Sequence, residues 1–387
     1  MKRFLALFLC GLMVASLAGC GSNDSSSSES VNSEESSVSA ESSENSSSQE
    51  SSAETASEEA AAFTFTDSLG REFTFEEPIE TVAASGLLSQ LVIYSLAPDT
   101  LVGWSNEWSE GAEKYIPEKY NSLPLIGQLY GSNTEMNPEQ LMIADPDVVI
   151  DIGDSKDGIA EDLDALGEQT GIPFIHIDAN METMPECYTM LGELLGMEEE
   201  AAEYADFCDS IYTRTLDIME EVGDEKVSVL YLTGDTGTNV VAKGSYHAEI
   251  IDLIADNLAI VESPSSKGTG NETDMEQLML WDPEVIFFSP DSGVYDTVAD
   301  DPLWSGLQAI QSGRYYEVPI GPHNWMGFPP SIQRYLGMMW MTKILYPEQA
   351  DFDIQADVTR YYEMFYHYDL TDEDYSQLVA NSLGKLE

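Results

Sequence analysis

Positive charge is what this chain lacks most: fifteen Lys and Arg stand against 71 Asp and Glu, a formal net charge of −56. Two of the fifteen, Lys2 and Arg3, sit at the extreme N-terminus. Binding a phosphate backbone needs clustered cations, so nucleic acid is excluded as a partner. Electrostatic adhesion to anionic lipid is excluded for the same reason. Histidine is scarce too. The four residues His176, His247, His323 and His367 are scattered and do not reproduce a zinc-type cage, so no directly bound metal is expected. Four cysteines match no metal spacing and make no disulfide framework. Beyond Cys10 and Cys20, Cys187 and Cys208 either form one bridge or stand as buried thiols. Absent as well are Gly-x-Ser-x-Gly, His-Glu-x-x-His, a Walker loop and Cys-x-x-Cys. Gly268-Thr269-Gly270 lacks the third glycine of a dinucleotide fingerprint and has no strand before it. Nothing here marks an enzyme, and no catalytic cofactor is expected.

What is present begins at the N-terminus. Met1-Lys2-Arg3 precedes an apolar run, Phe4 to Leu17, of signal-peptide length and too short for a comfortable membrane span. It ends in Leu17-Ala18-Gly19-Cys20, which resembles the bacterial lipobox. That resemblance implies a signal peptide over 1–19 and acylation of Cys20, holding the protein on the extracellular face of the cytoplasmic membrane. Residues 20–62 follow as a Ser/Glu-rich tether. So few apolar groups cannot offset the entropy of ordering. A coil of about 40 such residues spans roughly 35 Å.

The remainder is too long for one ordinary core. An internal repeat divides it. Asn137-Pro138-Glu139-Gln140-Leu141-Met142 through Asp145-Pro146-Asp147-Val148-Val149-Ile150 reads against Asp274-Met275-Glu276-Gln277-Leu278-Met279 through Asp282-Pro283-Glu284-Val285-Ile286-Phe287. Each copy is a short amphipathic helix stopped by Asp-Pro, then an apolar run suited to a strand buried on both faces. Further strands are expected at Glu80–Ala84, Phe174–Asp178, Lys226–Thr233 and Tyr315–Pro319, with helices between. Glu198–Val222 reads as one long helix, with Tyr204, Phe207, Cys208, Ile211 and Tyr212 at helical spacing. At 1.5 Å per residue it reaches roughly 37 Å, enough to join two lobes. The expected architecture is α/β: two Rossmann-like lobes with parallel sheets, 63–197 and 223–387, joined by the helix 198–222.

Asp67-Ser68-Leu69-Gly70-Arg71, Phe73-Thr74-Phe75, Pro78 and the Glu-Gln-Leu-Met…Asp-Pro-Asp element together resemble the iron-siderophore, haem and vitamin B12 class of periplasmic binding proteins. The resemblance runs from about Phe63 to Leu370. It implies the solute-binding component of an ABC importer, acting as a monomer with permease and ATPase partners. The implied cargo is an iron chelate, with haem or a corrinoid as alternatives; outside the class, a surface sensor or adhesin is the competing reading. In open α/β sheets ligands sit beyond the carboxyl ends of the strands. That rule nominates Trp104, Trp108, Tyr130 and Lys156 in the first lobe. In the second it nominates Lys243, Tyr246, His247, His323, Asn324, Trp325 and Met326, with His323 a candidate axial ligand for a haem or corrinoid metal. Loop cations are few, which suits a weakly charged chelate better than a polyanion. Relatives dock on their permease through one glutamate per lobe. Gly244-Ser245-Tyr246-His247-Ala248-Glu249 matches their second-lobe pattern and points to Glu249, and Glu161 is the first-lobe candidate, with Asp157 and Asp162 beside it.

Overall fold

The computed structural model describes residues 62–109, 111–120, 122–129 and 135–386. The leader, Cys20, the tether up to residue 61 and Tyr130 lie outside these residues. An antiparallel hairpin opens the described chain, β1 (Phe63–Thr66) and β2 (Glu72–Phe75). Asp67 ties its turn by accepting the N–H groups of Leu69 and Arg71 together with the Arg71 guanidinium. The first lobe continues with β3 (Val82–Ala84), α1 (Leu87–Leu96), α2 (Pro138–Ala144), β4 (Val148–Gly153), α3 (Ile159–Thr170), β5 (Phe174–Asp178) and α4 (Met184–Leu195). Its sheet is parallel, in the order β3-β4-β5.

The long helix α5 spans Glu198–Val222 as the sequence predicts. Beyond it come β6 (Ser228–Thr233), β7 (Asn239–Val240), α6 (Glu249–Ile254), β8 (Asp256–Asn257), β9 (Asn271–Glu272), α7 (Met275–Trp281), β10 (Val285–Phe288), α8 (Gln308–Gln311) and β11 (Tyr315–Glu317). Here β11, β10, β6 and β8 run parallel, while the two-residue strands β7 and β9 add an antiparallel edge. Three helices close the chain, α9 (Arg334–Leu345), α10 (Ile354–Tyr366) and α11 (Asp372–Leu378).

Alternation along the strands explains why both sheets are covered on both faces. In β4, Val148, Ile150 and Ile152 enter a large shared core, while Val149 faces a smaller one under α3. In β6, Val229 and Tyr231 enter the same shared core, while Leu230 and Leu232 face a second small one. The period of two makes a run of apolar residues serve two layers at once. The shared core also takes Phe207, Cys208 and Ile211 of α5, so the joining helix is packed against both lobes. Cys187 and Cys208 are free, buried thiols, and burial pushes both well above the ordinary thiol range.

The repeat appears as two equivalent helix–strand units. Asn137 caps α2 by accepting from the N–H of Glu139 and Gln140, and Asp274 caps α7 by accepting from Gln277. Both helices end on an aspartate in the left-handed region, Asp145 at φ 49° and Asp282 at φ 40°. Proline next in sequence forbids continuation. The C-terminal helix α10 crosses back to the first lobe and packs on α1. Tyr94 of α1 lies edge-on to His367 with centroids 5.5 Å apart, and Tyr204 donates to Met364 O at 2.9 Å.

Candidate ligand-binding cleft

The strands of the first lobe deliver Asp154, Ser155 and Asn180 just beyond their carboxyl ends, β4 and β5. Opposite them the second lobe presents the turn before α6. Between them lies a cavity of about 350 Å³, lined by Asp154, Asn180 and Glu182 on one side and Gly244, Ser245, Tyr246 and Glu249 on the other. Tyr212 of α5 closes it from behind. A larger depression of about 770 Å³ runs along Phe75–Glu80 beside Asp147 and touches the first lobe alone. A third cavity, about 220 Å³ and lined by Lys114 and Tyr115 with Glu317, Asp374 and Asn381, also spans the lobes, but the 350 Å³ one is the larger of the two and lies beyond the ends of β4 and β5, which makes it the better candidate.

Arg334, the first residue of α9, organises the second-lobe wall although its side chain is only 2% exposed. It donates to Glu249 Oε2 and, at 2.7 Å, to Tyr246 O, and its guanidinium sits 5.1 Å from the Tyr246 ring centroid. Gly327, at φ +92°, makes room for it; a Cβ there would stand 2.6 Å from Arg334 Nε. Burial works against the Arg334 charge and Glu249 restores it. Glu249 also reaches across the lobes and accepts the Met181 N–H at 3.1 Å, while Tyr335 donates to Met181 O at 2.8 Å. A carboxylate held this way is half-buried and doubly engaged. On the facing wall, burial and the neighbouring Asp178 raise the Asp154 carboxyl above its usual range, and Arg334 opposes them.

The other expected contact residues divide into cleft, seam and core. Tyr246 lines the cavity and is 40% exposed. Lys156 is solvent-exposed and follows Ser155. Lys243 is paired with Asp256 at 3.2 Å on the second-lobe surface. His247 is buried and stacks flat on Phe328, centroids 5.0 Å apart, and burial followed by Arg334 lowers its pKa. Trp108 and His323 meet across the lobes as a stacked pair with centroids 5.5 Å apart, reinforced by a hydrogen bond from Ser109 Oγ to Pro322 O. Burial alone pushes His323 down to about 4, so its ring is neutral near pH 7, and Nε2 has no partner among the described residues. Asn324 donates to Tyr231 OH at 2.9 Å and accepts from the Met326 N–H. Trp325 and Met326 are fully buried in the shared core, and Trp104 lies in an aromatic cluster with Tyr94, Trp108 and Tyr120. Glu161 is exposed in the first turn of α3.

Sequence reasoning did not single out Asn180, Glu182, Tyr212 or Asp178, because single polar residues among so many carry no pattern. Arg334 had a signal that was underused. It opens a helix whose next eight residues, through Thr342, carry no charge, and a buried cation there is kept only by a partner.

Ser155, His176 and Asp151 also align as a hydroxyl–imidazole–carboxylate relay, at 3.2 and 2.8 Å. Nucleophilic catalysis needs donors where an oxyanion forms. Here the Ser155 N–H is given to Asp178 Oδ1, and that carboxylate oxygen stands 3.3 Å from Ser155 Oγ, where it would repel an oxyanion. The relay fits a binding wall and not an acyl-transfer site.

The sequence pattern of the periplasmic binding protein family matches residues 99–320, more than half of the chain. The chain belongs to that family. Among periplasmic binding proteins of known structure, an ABC transporter solute-binding protein from Sulfurospirillum deleyianum is 27% identical, with a TM-score of 0.74, covering 81% of this chain and 98% of that one. A solute-binding protein from Veillonella parvula, 24% identical over 82% of this chain and 97% of its own, has a TM-score of 0.66 and shares the fold. Two curated relatives match in part. The molybdate-binding protein MolA of Haemophilus influenzae is 28% identical over 148 residues, 37% of this chain and 40% of its own. The Fe(3+)-citrate-binding protein YfmC of Bacillus subtilis is 23% identical over 193 residues, 48% of this chain and 58% of its own. The chain thus spans about half the length of the curated relatives it matches.

Proposed function

We propose that the protein is the solute-binding component of an ABC importer and that its cargo is a compact iron chelate of little net charge. The observation that carries this reading is the charge balance around the cleft. Arg334 is paired with Glu249 and Lys243 with Asp256, burial lowers the pKa of His247 and of His323, and Lys156 lies close enough to Asp154 to act on its carboxyl. Asp154 and Glu182 face the same cavity. A polyanion entering it would meet carboxylates before any uncompensated cation. A neutral ferric hydroxamate escapes that penalty. YfmC, by its name, handles an iron chelate. A haem or corrinoid ligated by His323 would need that ring to leave its stack on Trp108.

A second reading, an oxyanion such as molybdate, is favoured by the identity to MolA. Isothermal titration with a neutral ferric hydroxamate, ferric citrate, haem, cobalamin and molybdate separates the two. The hydroxamate complex is expected to bind tightest, and preferential binding of molybdate would sink the proposal.

A further inference from the structure

A chain of polar side chains runs from the buried Ser85 out to the exposed Ser155, the residue next in sequence to Asp154 of the cavity wall. Ser85 donates its hydroxyl to Asp151 Oδ1, and His176 Nδ1 lies 2.8 Å from Asp151 Oδ2. The same imidazole places Nε2 at 3.2 Å from Ser155 Oγ. His176 is fully buried, whereas Ser155 is exposed and follows Asp154 of the cavity wall. Asp178 Oδ1 stands 3.3 Å from the same hydroxyl.

This arrangement keeps the Ser155 proton inside the protein. An ionised carboxylate only accepts, so the proton between His176 and Asp151 belongs to Nδ1. With the imidazole neutral, Nε2 is an acceptor and takes the Ser155 proton. With it protonated, Nε2 donates to the serine oxygen and Asp178 takes the serine proton instead. In either state the hydroxyl proton is used inside the protein, and lone pairs are what remain for the ligand. Asp154 beside it presents carboxylate oxygens as well. A buried donor or acceptor left unmatched costs about 1–3 kcal/mol, enough to select among ligands.

We infer that Ser155 is a specificity-determining residue that offers the cargo a hydrogen-bond acceptor and no donor, with His176 and Asp151 as positioning residues behind it. The cargo therefore presents N–H or O–H groups to the first lobe. This rests on the chelate reading and adds the chemistry of the cargo's periphery.

The test uses the whole protein and two probes, ferric tris(acetohydroxamate) and ferric tris(N-methylacetohydroxamate). They share metal, charge and coordination and differ in carrying N–H or N–CH3. Wild-type protein is expected to bind the N–H complex at least tenfold tighter. Ser155→Ala should bring the ratio to within about twofold, and His176→Gln should do the same if it melts near the wild type. Because a ratio is read, a loss of affinity common to both complexes, the mark of a structural role, does not move it. Equal binding of the two complexes by wild type, or an unchanged ratio in Ser155→Ala, overturns the inference and leaves the chelate reading standing. Binding of molybdate with neither ferric complex bound overturns the chelate reading itself.

Discussion

At the scale of single residues, the seam beside the cleft holds a group denied its usual protonation chemistry. That group is His323. A histidine in an unfolded chain titrates near about 6.5. In the folded protein burial pushes His323 down to about 4. As pH falls, the unfolded state binds the proton first, so stability present above pH 6.5 is lost progressively until about pH 4. By pH 4.5 the loss from this residue is about 2–3 kcal/mol. His323→Phe keeps a ring against Trp108 and removes the proton. Chemical denaturation at pH 7.5 and 4.5 should show the variant losing about 2–3 kcal/mol less than wild type between the two conditions. Equal losses would mean that the ring is not held neutral. Glu249 and Arg334 illustrate the complementary case. A charge that stays charged in a site 2% exposed does so because its partner is fixed by a second contact, the Met181 N–H.

Elements carry the internal symmetry. The caps Asn137 and Asp274 occupy equivalent places before α2 and α7, and each accepts backbone N–H groups in the first turn. Replacing either by Ala should cost about 1 kcal/mol, and the double variant should lose their sum within about 0.5 kcal/mol. Thermal or urea unfolding of the three variants checks this; a silent Asp274→Ala would show that the second copy keeps the pattern without its energetics. These elements were legible because the repeat pairs an amphipathic turn and a Pro stop with a buried strand, whereas the caps Asn137 and Asp274 were seen only in the structure. Three signals in register leave little freedom. The span of α5 was legible for a similar reason, an apolar stripe from Tyr204 to Met219, although Leu216, read as part of that stripe, is exposed. The cleft was less so. Spacing places Trp325 on the loop after β11, where it is, but does not say whether a loop aromatic turns toward solvent or core. The same residue types serve both, and here Trp325 turns inward. His176 looks like a strand histidine in the sequence and is one, yet its partners Asp151 and Ser155 come from the neighbouring strand and loop. Cross-strand register, which no local pattern encodes, brings them together.

For the whole molecule, the importer reading requires an anchor and a docking face. Cys20 is the proposed acylation site, and Glu161, exposed on α3, the proposed first-lobe contact with the permease. Glu249, the proposed second-lobe contact, already accepts from Arg334 and Met181, so a docking arginine there would share the carboxylate with them. Cys20→Ala should release the protein from the membrane fraction, and Glu161→Arg should abolish cellular uptake. Both should leave the affinity of the purified protein for its chelate unchanged. Membrane retention of the first variant, or full uptake with the second, would refute the corresponding assignment. Among the described residues no helix is long and apolar enough to cross a membrane.

The crossing of α10 onto α1 has a consequence for how the chain is made. Tyr94 and His367 touch, and Tyr94 donates its hydroxyl to Tyr366 O, though 272 residues separate the last two. Loops that long close slowly, and contacts between distant parts of a chain govern folding rate more than local ones do. A polypeptide emerging from its N-terminus cannot complete its first lobe until almost its last helix is free. Until then the aromatic faces of α1 and of the loop around Trp104 have no lid. The nascent protein is therefore obliged to remain unfinished for nearly its entire release, and truncation near residue 350 would harm the first lobe as much as the second.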